Sequence, residues 1–98
     1  MYKILRTPEY RDWFDAQTEK SKAQIDDRLS KVQDEGHFGD HKSVSEKNEV
    51  GERRWKNGRR LYFAYIPERK ILLLLGGNKN GQDKDIRKAK SLFKKYTE

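Results

Sequence analysis

The chain has 98 residues, with 23 lysines and arginines against 16 aspartates and glutamates, and a net charge of +7. That length predicts one domain over residues 1–98. The sequence has no cysteine, which excludes disulfides and thiolate chemistry. The longest apolar run, residues 71–75, is too short to span a bilayer. We therefore expect a cytoplasmic protein with no membrane partner, whose basic charge suits nucleic acid or an acidic protein.

The first half of the chain predicts a short strand followed by a helical hairpin. Residues 2–5 alternate weakly between polar and apolar, as a strand does. Thr7 and Pro8 predict a helix start, because threonine is a good cap and proline suits the first helical position. A second helix is expected to begin with a capping box at residues 21–24 and to end near Gly36.

The second half predicts three antiparallel strands and a last helix. Residues 36–48 are polar and are interpreted as an irregular loop. Strands are expected over residues 50–56, 59–65 and 70–76, with turns at Asn57-Gly58, of type I′, and at Pro67-Glu68. The last helix is expected over residues 82–96, with an apolar face made of Ile86, Ala89, Phe93 and Tyr96.

The resulting order is β-α-α-β-β-β-α, which predicts an α+β fold. The helical hairpin would pack on one face of a small, mainly antiparallel, twisted sheet. Alternation along residues 60–65 assigns Leu61, Phe63 and Tyr65 to the core. Arg60 and Tyr62 then lie on the second face, which we expect to be open.

The register of the hairpin decides which further arginine joins Arg60. A two-residue turn pairs Trp55 with Arg60 and Arg53 with Tyr62. A three-residue turn with a bulge places Arg54 on the same face as Arg60 instead. The sequence leaves both registers open, and it also allows these arginines to pair only with neighbouring glutamates on a solvated surface.

The Gly-Gly-Asn-Lys-Asn-Gly segment at residues 76–81 is expected to form a loop that favours anions. Glycine lets a ligand approach the backbone closely, a helix N-terminus follows, and Lys79 adds a charge. Gln82 and Asp85 lie one helical turn apart and can face the same cleft. Asp85 can equally be a first-turn acid that complements the helix dipole.

Histidines and lysines before the hairpin give weaker signals. His37 and His41 are four residues apart, but in a glycine-containing loop without cysteine they do not predict a metal site. Either can be a general base, although nothing in the sequence connects them to the arginines. Lys42 can reach the second face or remain a solvated lysine.

Taken in order, these motifs resemble the RelE/ParE toxin superfamily, and within it the HigB-like addiction-module killer proteins. The segments that carry the resemblance are TPEYRDWF at 7–14, FGDHKSV at 38–44, ERRW at 52–55, GRRLYF at 58–63 and LGGNKNGQDKDI at 75–86. One departure is Arg53, which occupies the place of the leucine in the family's Glu-Leu-Arg motif.

The resemblance implies the toxin of a bacterial type II toxin–antitoxin module. Such a toxin would be a metal-independent endoribonuclease that cuts mRNA on the ribosome and needs no cofactor. It would be neutralised by a cognate antitoxin with a helix-turn-helix DNA-binding domain, and would reach operator DNA only through that antitoxin. The alternative is a ParE-like inhibitor of DNA gyrase without nuclease activity. A third possibility is an inactive, basic RNA-binding relative.

The resemblance matches Arg60, Arg54, Lys79 and Lys42 to basic residues of the RNA-cleaving members, and the chemistry of metal-free cleavage suggests the other roles. Cationic groups would stabilise the phosphorane, and a carboxylate or phenol would act as the base. The expected catalytic residues are Arg60, Lys79, Arg54, Asp85 and Tyr62. Aromatic and polar neighbours would hold the RNA by stacking and phosphate contacts. The expected RNA-binding residues are Lys42, Arg53, Trp55, Arg59 and Gln82.

Overall fold

The computed structural model describes residues 1–98. Its helices and strands follow one another in nearly the order that the sequence predicts. The elements are β1 (Lys3–Arg6), α1 (Pro8–Asp15), α2 (Glu19–Glu35), β2 (His41–Ser43), β3 (Gly51–Arg54), β4 (Arg59–Ile66), β5 (Lys70–Asn78), a 3₁₀ turn (Lys79–Gly81) and α3 (Gln82–Thr97). The predicted α+β class is confirmed. Segment 36–48 is not wholly irregular, because it contains the short strand β2.

The five strands form one sheet in the order β1-β5-β4-β3-β2. β1 pairs with β5 in parallel, and the other neighbours are antiparallel. The first strand therefore lies beside the last, and the hairpin of β3 and β4 lies between β5 and the edge strand β2.

The helix ends show which caps the sequence indicated correctly. Thr7 accepts a hydrogen bond from the Tyr10 N–H (3.1 Å), with Pro8 at the first position, as predicted. The capping box at residues 21–24 is wrong: Thr18 caps α2 by accepting from the Ser21 N–H (3.1 Å). The Ser21 hydroxyl is consequently available for another contact.

Two apolar clusters cover the two faces of the sheet. Leu61 and Phe63 pack under α1 and α2, whereas Tyr62 and Ala64 pack under α3. The expectation of an open second face is therefore wrong, since α3 lies on it. On α3 itself Leu92 is buried with Ala89, while the predicted face residue Tyr96 is 37% exposed. No helix is both long and apolar enough to cross a membrane.

A bulge in β5 adjusts the register of the central pair. Tyr62 pairs with Leu75, but Phe63 pairs with Leu73, so Leu74 is the extra residue. Leu74 and Leu75 then both pack with the α3 cluster. After the bulge the strand continues to Asn78, which places Gly76 and Gly77 inside the sheet rather than in a loop.

Candidate active site on the α3 face

The turn between β3 and β4 settles the register that the sequence left open. The Trp55 N–H donates to the Arg59 carbonyl (3.0 Å), and the Gly58 N–H donates to the Trp55 carbonyl (3.1 Å). This is a three-residue loop, in which Gly58 has φ +97° and Asn57 has no positive φ. The predicted type I′ turn is therefore wrong, and Arg54 lies directly opposite Arg60.

Cross-strand partners lie on the same face of a sheet, so the register builds two neighbouring rows on the α3 side. One row is Lys42, Glu52 and Tyr62; the other is Arg54, Arg60 and Gly77. Cationic residues from β2, β3 and β4 therefore meet at one end of the sheet, beside the N-terminus of α3. We call this the α3-face site: Lys42, Glu52, Arg54, Arg60, Gln82 and Asp85, with Lys79 at its border.

Glu52 is the buried anion of the α3-face site and is fully buried. Its Oε2 accepts hydrogen bonds from the Tyr62 hydroxyl (2.9 Å) and from Gln82 Nε2 (2.8 Å), and it lies 4.0 Å from Arg60 Nε. Sequence reasoning treated this residue only as a surface partner. The signal available was the alternation of β3, which places Glu52 on the same face as Arg54.

Arg60 is held at the hairpin end of the site. Its Nη1 donates to the Arg59 carbonyl (3.2 Å) and reaches the Trp55 carbonyl (3.5 Å), and its side chain is 13% exposed. Arg54 is more open, with Nη2 3.8 Å from an Asp40 carboxylate oxygen. Because the two guanidinium groups come from facing positions on adjacent strands, they can approach one anion together.

Asp85 lies over the strand beside Arg60. A Cβ on Gly77 would collide with the Asp85 carboxylate, so only glycine at this position leaves room for it. Gly77 is also the strand partner of Arg60. Burial raises the pKa of the Asp85 carboxyl, against the opposing charges of Lys84 and Lys88. A carboxylate with a raised pKa is a better proton acceptor than an ordinary one.

Tyr62 and Lys79 differ in their exposure to solvent. Tyr62 is fully buried, and burial, followed by its hydrogen bond to Glu52, raises the pKa of its hydroxyl. Its expected roles as base or stacking residue are therefore corrected, since it lies beneath the site and orients Glu52. Lys79 is exposed. Its N–H donates to the Gly58 carbonyl (2.9 Å), and its side chain lies along Gly58.

A family model described as "Phage derived protein Gp49-like (DUF891)" matches residues 12–94. The chain belongs to this family. The Gp49-like family is of the RelE/ParE toxin type, which confirms the superfamily resemblance; the HigB-like branch stays a prediction.

Relatives and solved structures agree with this assignment. A Haemophilus influenzae protein described as uncharacterized is 40% identical over 76 residues, covering 74% of this chain and 73% of its own. An arginine-substituted E. coli RelE toxin in the free state has a TM-score of 0.73 at 12% identity, covering 92% of this chain and 95% of that one. The RelE chain of the intact E. coli RelBE complex has a TM-score of 0.66 at 12% identity, covering 80% and 96%. These two structures show the fold.

In this Gp49-like chain, three of the expected RNA-binding residues lie on the other face of the sheet. The Arg53 and Arg59 guanidinium carbons lie 4.7 and 5.2 Å from the Trp55 ring centroid. Arg53 donates to the Phe38 carbonyl (2.8 Å), on the α1/α2 side. Of the two arginines that the sequence left open, Arg54 and not Arg53 therefore lies beside Arg60, because consecutive residues of a strand point to opposite faces. RNA binding by Arg53, Trp55 and Arg59 stays a prediction.

The two histidines of the Gp49-like chain belong to a local turn. The Gly39 N–H donates to His37 Nδ1 (3.2 Å), and His41 Nδ1 lies 2.7 Å from the Gly39 carbonyl oxygen. His41 pairs with Arg53, so it lies on the face opposite the α3-face site. No group of three potential metal ligands occurs in the structure.

Proposed function

We propose that this protein is the toxin of a type II toxin–antitoxin module and cuts mRNA on the ribosome without a metal. One observation carries the proposal: Arg54 and Arg60 face each other on adjacent strands, and the Asp85 carboxylate lies over Gly77, the other strand partner of Arg60. Two guanidinium groups can stabilise the phosphorane, and a carboxylate with a raised pKa can accept the 2′ proton, which are two of the three tasks of metal-free RNA cleavage.

The reaction we propose uses the RNA's own 2′-hydroxyl as nucleophile. Asp85 accepts the 2′ proton while the 2′-oxygen attacks phosphorus. The bond from phosphorus to the 5′-oxygen breaks, leaving a 2′,3′-cyclic phosphate and a 5′-hydroxyl. A nucleophile supplied by the substrate accounts for a site without an activated serine or cysteine.

The two arginines stabilise the charge that develops on the phosphorane. Glu52 lies at the Arg60 Nε, and main-chain carbonyls take Nη1, so Nη2 remains for a phosphate oxygen. Guanidinium keeps its charge throughout and offers parallel donors to such oxygens. Glu52 is in this account a positioning residue, because its Oε2 is already bonded to Tyr62 and Gln82.

The remaining residues of the α3-face site contact the substrate around the scissile bond. Lys79, exposed directly after β5, supports the phosphate and gives its proton to the departing 5′-oxygen. Lys42, on the exposed edge strand, and Gln82 hold flanking RNA. Charges of this kind on open surface act through screened phosphate contacts.

We propose a protein antitoxin as the partner that neutralises the toxin in the cytoplasm. Complexes named RelBE, of E. coli and Mycobacterium tuberculosis, contain chains with the same fold. The net charge of +7 suits an acidic antitoxin segment; a helix-turn-helix domain on that antitoxin would connect the pair to operator DNA. Added salt should weaken the complex, and affinity that is independent of salt would count against acidic pairing.

The test of the proposed function is primer extension on mRNA after brief expression in cells. The wild type should give new mRNA ends and arrest translation, whereas Arg60→Ala should give neither. Arg11→Ala, a change of an exposed arginine on α1, is the matched control and should cut like the wild type. DNA damage with intact mRNA would contradict the proposal and support inhibition of gyrase.

A further inference from the structure

The α1/α2 face holds a cation that the proposed chemistry does not use. Arg59 is only 6% exposed and has no ion pair with a carboxylate. Its Nη2 donates to Ser21 Oγ (2.9 Å) and Gln24 Oε1 (3.0 Å), and Nη1 has no hydrogen-bond partner. Burial lowers the pKa of this guanidinium. A buried cation without an anion is costly for the folded state, so an anionic ligand would offset that cost.

A polar groove of about 350 Å³ opens beside this guanidinium. Its walls come from α1, α2, the hairpin turn and the end of β5, and none of its lining residues is acidic. We call it the Arg59 groove: Trp13, Gln17, Ser21, Asn57, Arg59, Gly77 and Asn78. A larger groove, of about 510 Å³, is different in kind because Asp27 and Asp40 contribute to its lining.

The Arg59 groove presents mainly donors, because the side-chain oxygens of Ser21, Asn57 and Asn78 accept hydrogen bonds from within the protein. At Gln17 the amide Nε2 is the group already used, since it donates to the Trp13 carbonyl (3.0 Å). Asn57 Oδ1 accepts from the Arg59 N–H (3.0 Å), and Asn78 Oδ1 accepts from the Asn80 N–H (2.9 Å). Both amide NH₂ groups are consequently left to donate. Ser21 Oγ accepts from Arg59, which leaves its hydrogen for a ligand. Donors from four separate elements suit an anion with several oxygens in three dimensions.

We propose that the Arg59 groove binds a backbone phosphate of the RNA strand, next to the one cleaved at the α3-face site. The assignment to RNA rests on the proposed function. Arg59 and Arg60 are consecutive and face opposite sides, and their strand partners are Asn78 and Gly77. A strand of RNA that crosses the end of the sheet beside Lys79 therefore contacts both sites. A planar carboxylate from a protein partner would use fewer of the convergent donors.

The sharpest variant is the double substitution Asn57→Asp, Asn78→Asp. Aspartate keeps the oxygen that accepts from the Arg59 and Asn80 N–H groups, so the turn and the 3₁₀ cap are retained. It replaces two donors by two negative charges in the groove. Asn48→Asp, at an exposed loop position with φ +58°, is the matched control, since aspartate also tolerates that conformation.

The measurement is fluorescence anisotropy with a single-stranded, fully 2′-O-methylated RNA, which binds but has no 2′ nucleophile. The double variant should bind about tenfold more weakly than the wild type, with a smaller dependence of affinity on salt. The control should keep the wild-type affinity. Thermal unfolding of all three proteins checks that each is folded.

Three results separate this inference from the proposed function. Equal affinity of the double variant and the wild type, in a protein that cleaves RNA, would overturn the inference and leave the nuclease intact. Weakened binding of the purified antitoxin with unchanged RNA binding would overturn it also. If the wild type neither binds nor cuts RNA, the assignment of the groove to RNA fails together with the proposed function, and NMR titration with inorganic phosphate then tests whether the groove is an anion site at all. Saturable shifts of the Asn57 and Asn78 amide groups, absent in Arg59→Gln, support an anion site, and their absence overturns it.

Discussion

The two Arg-Arg pairs of the hairpin place identical side chains in opposite surroundings. On the α3 face, Arg60 lies 4.0 Å from the buried carboxylate of Glu52 and beside the strand position that Asp85 covers. On the α1/α2 face, the Arg59 guanidinium lies against the Trp55 ring and donates to the neutral side chains of Ser21 and Gln24, with no carboxylate in ion-pair contact. Arg60 and Arg59 are consecutive, yet only Arg60 lies beside a buried carboxylate.

This contrast separates chemistry from binding. Proton transfer needs a carboxylate near the phosphate, and the α3-face site supplies Asp85 with a raised pKa. Holding a phosphate needs donors and positive charge without nearby acids, which the Arg59 groove supplies. The variants that follow change one side of the contrast at a time.

Asp85→Asn should have the largest effect and should move activity and stability in opposite directions. Loss of the base should slow RNA cleavage about a thousandfold. Folding raises the pKa of the Asp85 carboxyl. Its ionisation therefore destabilises the folded state as the pH rises from the ordinary carboxyl pKa of the unfolded chain to the raised pKa of the folded protein. The free energy of unfolding of Asp85→Asn should therefore exceed that of the wild type increasingly across that window. Cleavage assays and urea unfolding at several pH values check both, and a stability gap that shrinks with rising pH would contradict the account.

Glu52→Ala should destabilise the protein more than Arg59→Gln does. Removing the carboxylate leaves the Tyr62 hydroxyl and the Arg60 charge without their partner in the core, which should cost about 3 kcal/mol. Glutamine at position 59 leaves no carboxylate unpaired and can still bond to α2, so that change should cost about 1 kcal/mol. Urea unfolding measures both, with the exposed Glu46→Ala as control. An equal loss for the two would remove the distinction between the faces.

Gly76→Ala should mainly lower stability, whereas Gly77→Ala should mainly lower cleavage activity. A Cβ at Gly76 collides with the Trp13 ring, and one at Gly77 with the Asp85 carboxylate. The first change overpacks the α1 side and should lower the free energy of unfolding by about 2 kcal/mol. The second displaces the base and should slow cleavage about a hundredfold. Gly76→Ala should be the worse variant in unfolding and Gly77→Ala the worse in cleavage. If one variant is the worse in both assays, the two glycines do not serve different purposes.

Asp40→Asn should give the smallest effect. Its carboxylate lies 3.8 Å from Arg54 Nη2 at a largely exposed position, where an ion pair contributes about 0.5 kcal/mol or less to folding. Freeing Arg54 should strengthen RNA binding about twofold to threefold without changing the unfolding midpoint. Binding of the 2′-O-methylated RNA and a thermal melt measure this, and weaker RNA binding would show that Asp40 does not compete for Arg54.

Most of the fold was predictable because local signals agreed with the packing. Thr7 and Pro8 started α1, Gly36 ended α2, and the alternation of β4 placed Leu61 and Phe63 in the core. Tyr65, predicted for the same core, is 43% exposed. The capping box failed because Thr18 sits three residues before Ser21 and offers the same chemistry. The covering of the second face was not predictable from alternation, since that pattern does not say where a later helix packs.

Several residues of the α3-face site were predictable, but the buried Glu52 and the grouping of the residues were not. Resemblance indicated Arg60 and Asp85, whereas the hairpin register, which separates Arg53 from Arg54, depended on the turn around Gly58. The burial of Glu52 required the positions of Tyr62 and Gln82, which come from different elements. Gly76 and Gly77 looked like loop residues, because a sequence does not show that Trp13 and Asp85 need the space above them.

In the proposed function Arg60, whose Nε lies 4.0 Å from the Glu52 carboxylate, stabilises the transition state of RNA cleavage. The most direct test of this central claim is the single-turnover cleavage rate of Arg60→Lys on purified ribosomes carrying mRNA, with Arg11→Lys as control. Lysine keeps the charge beside Glu52 but loses the planar fork, so the rate should fall about a hundredfold while the control matches the wild type. Cleavage by a folded Arg60→Lys protein at the wild-type rate would contradict the claim.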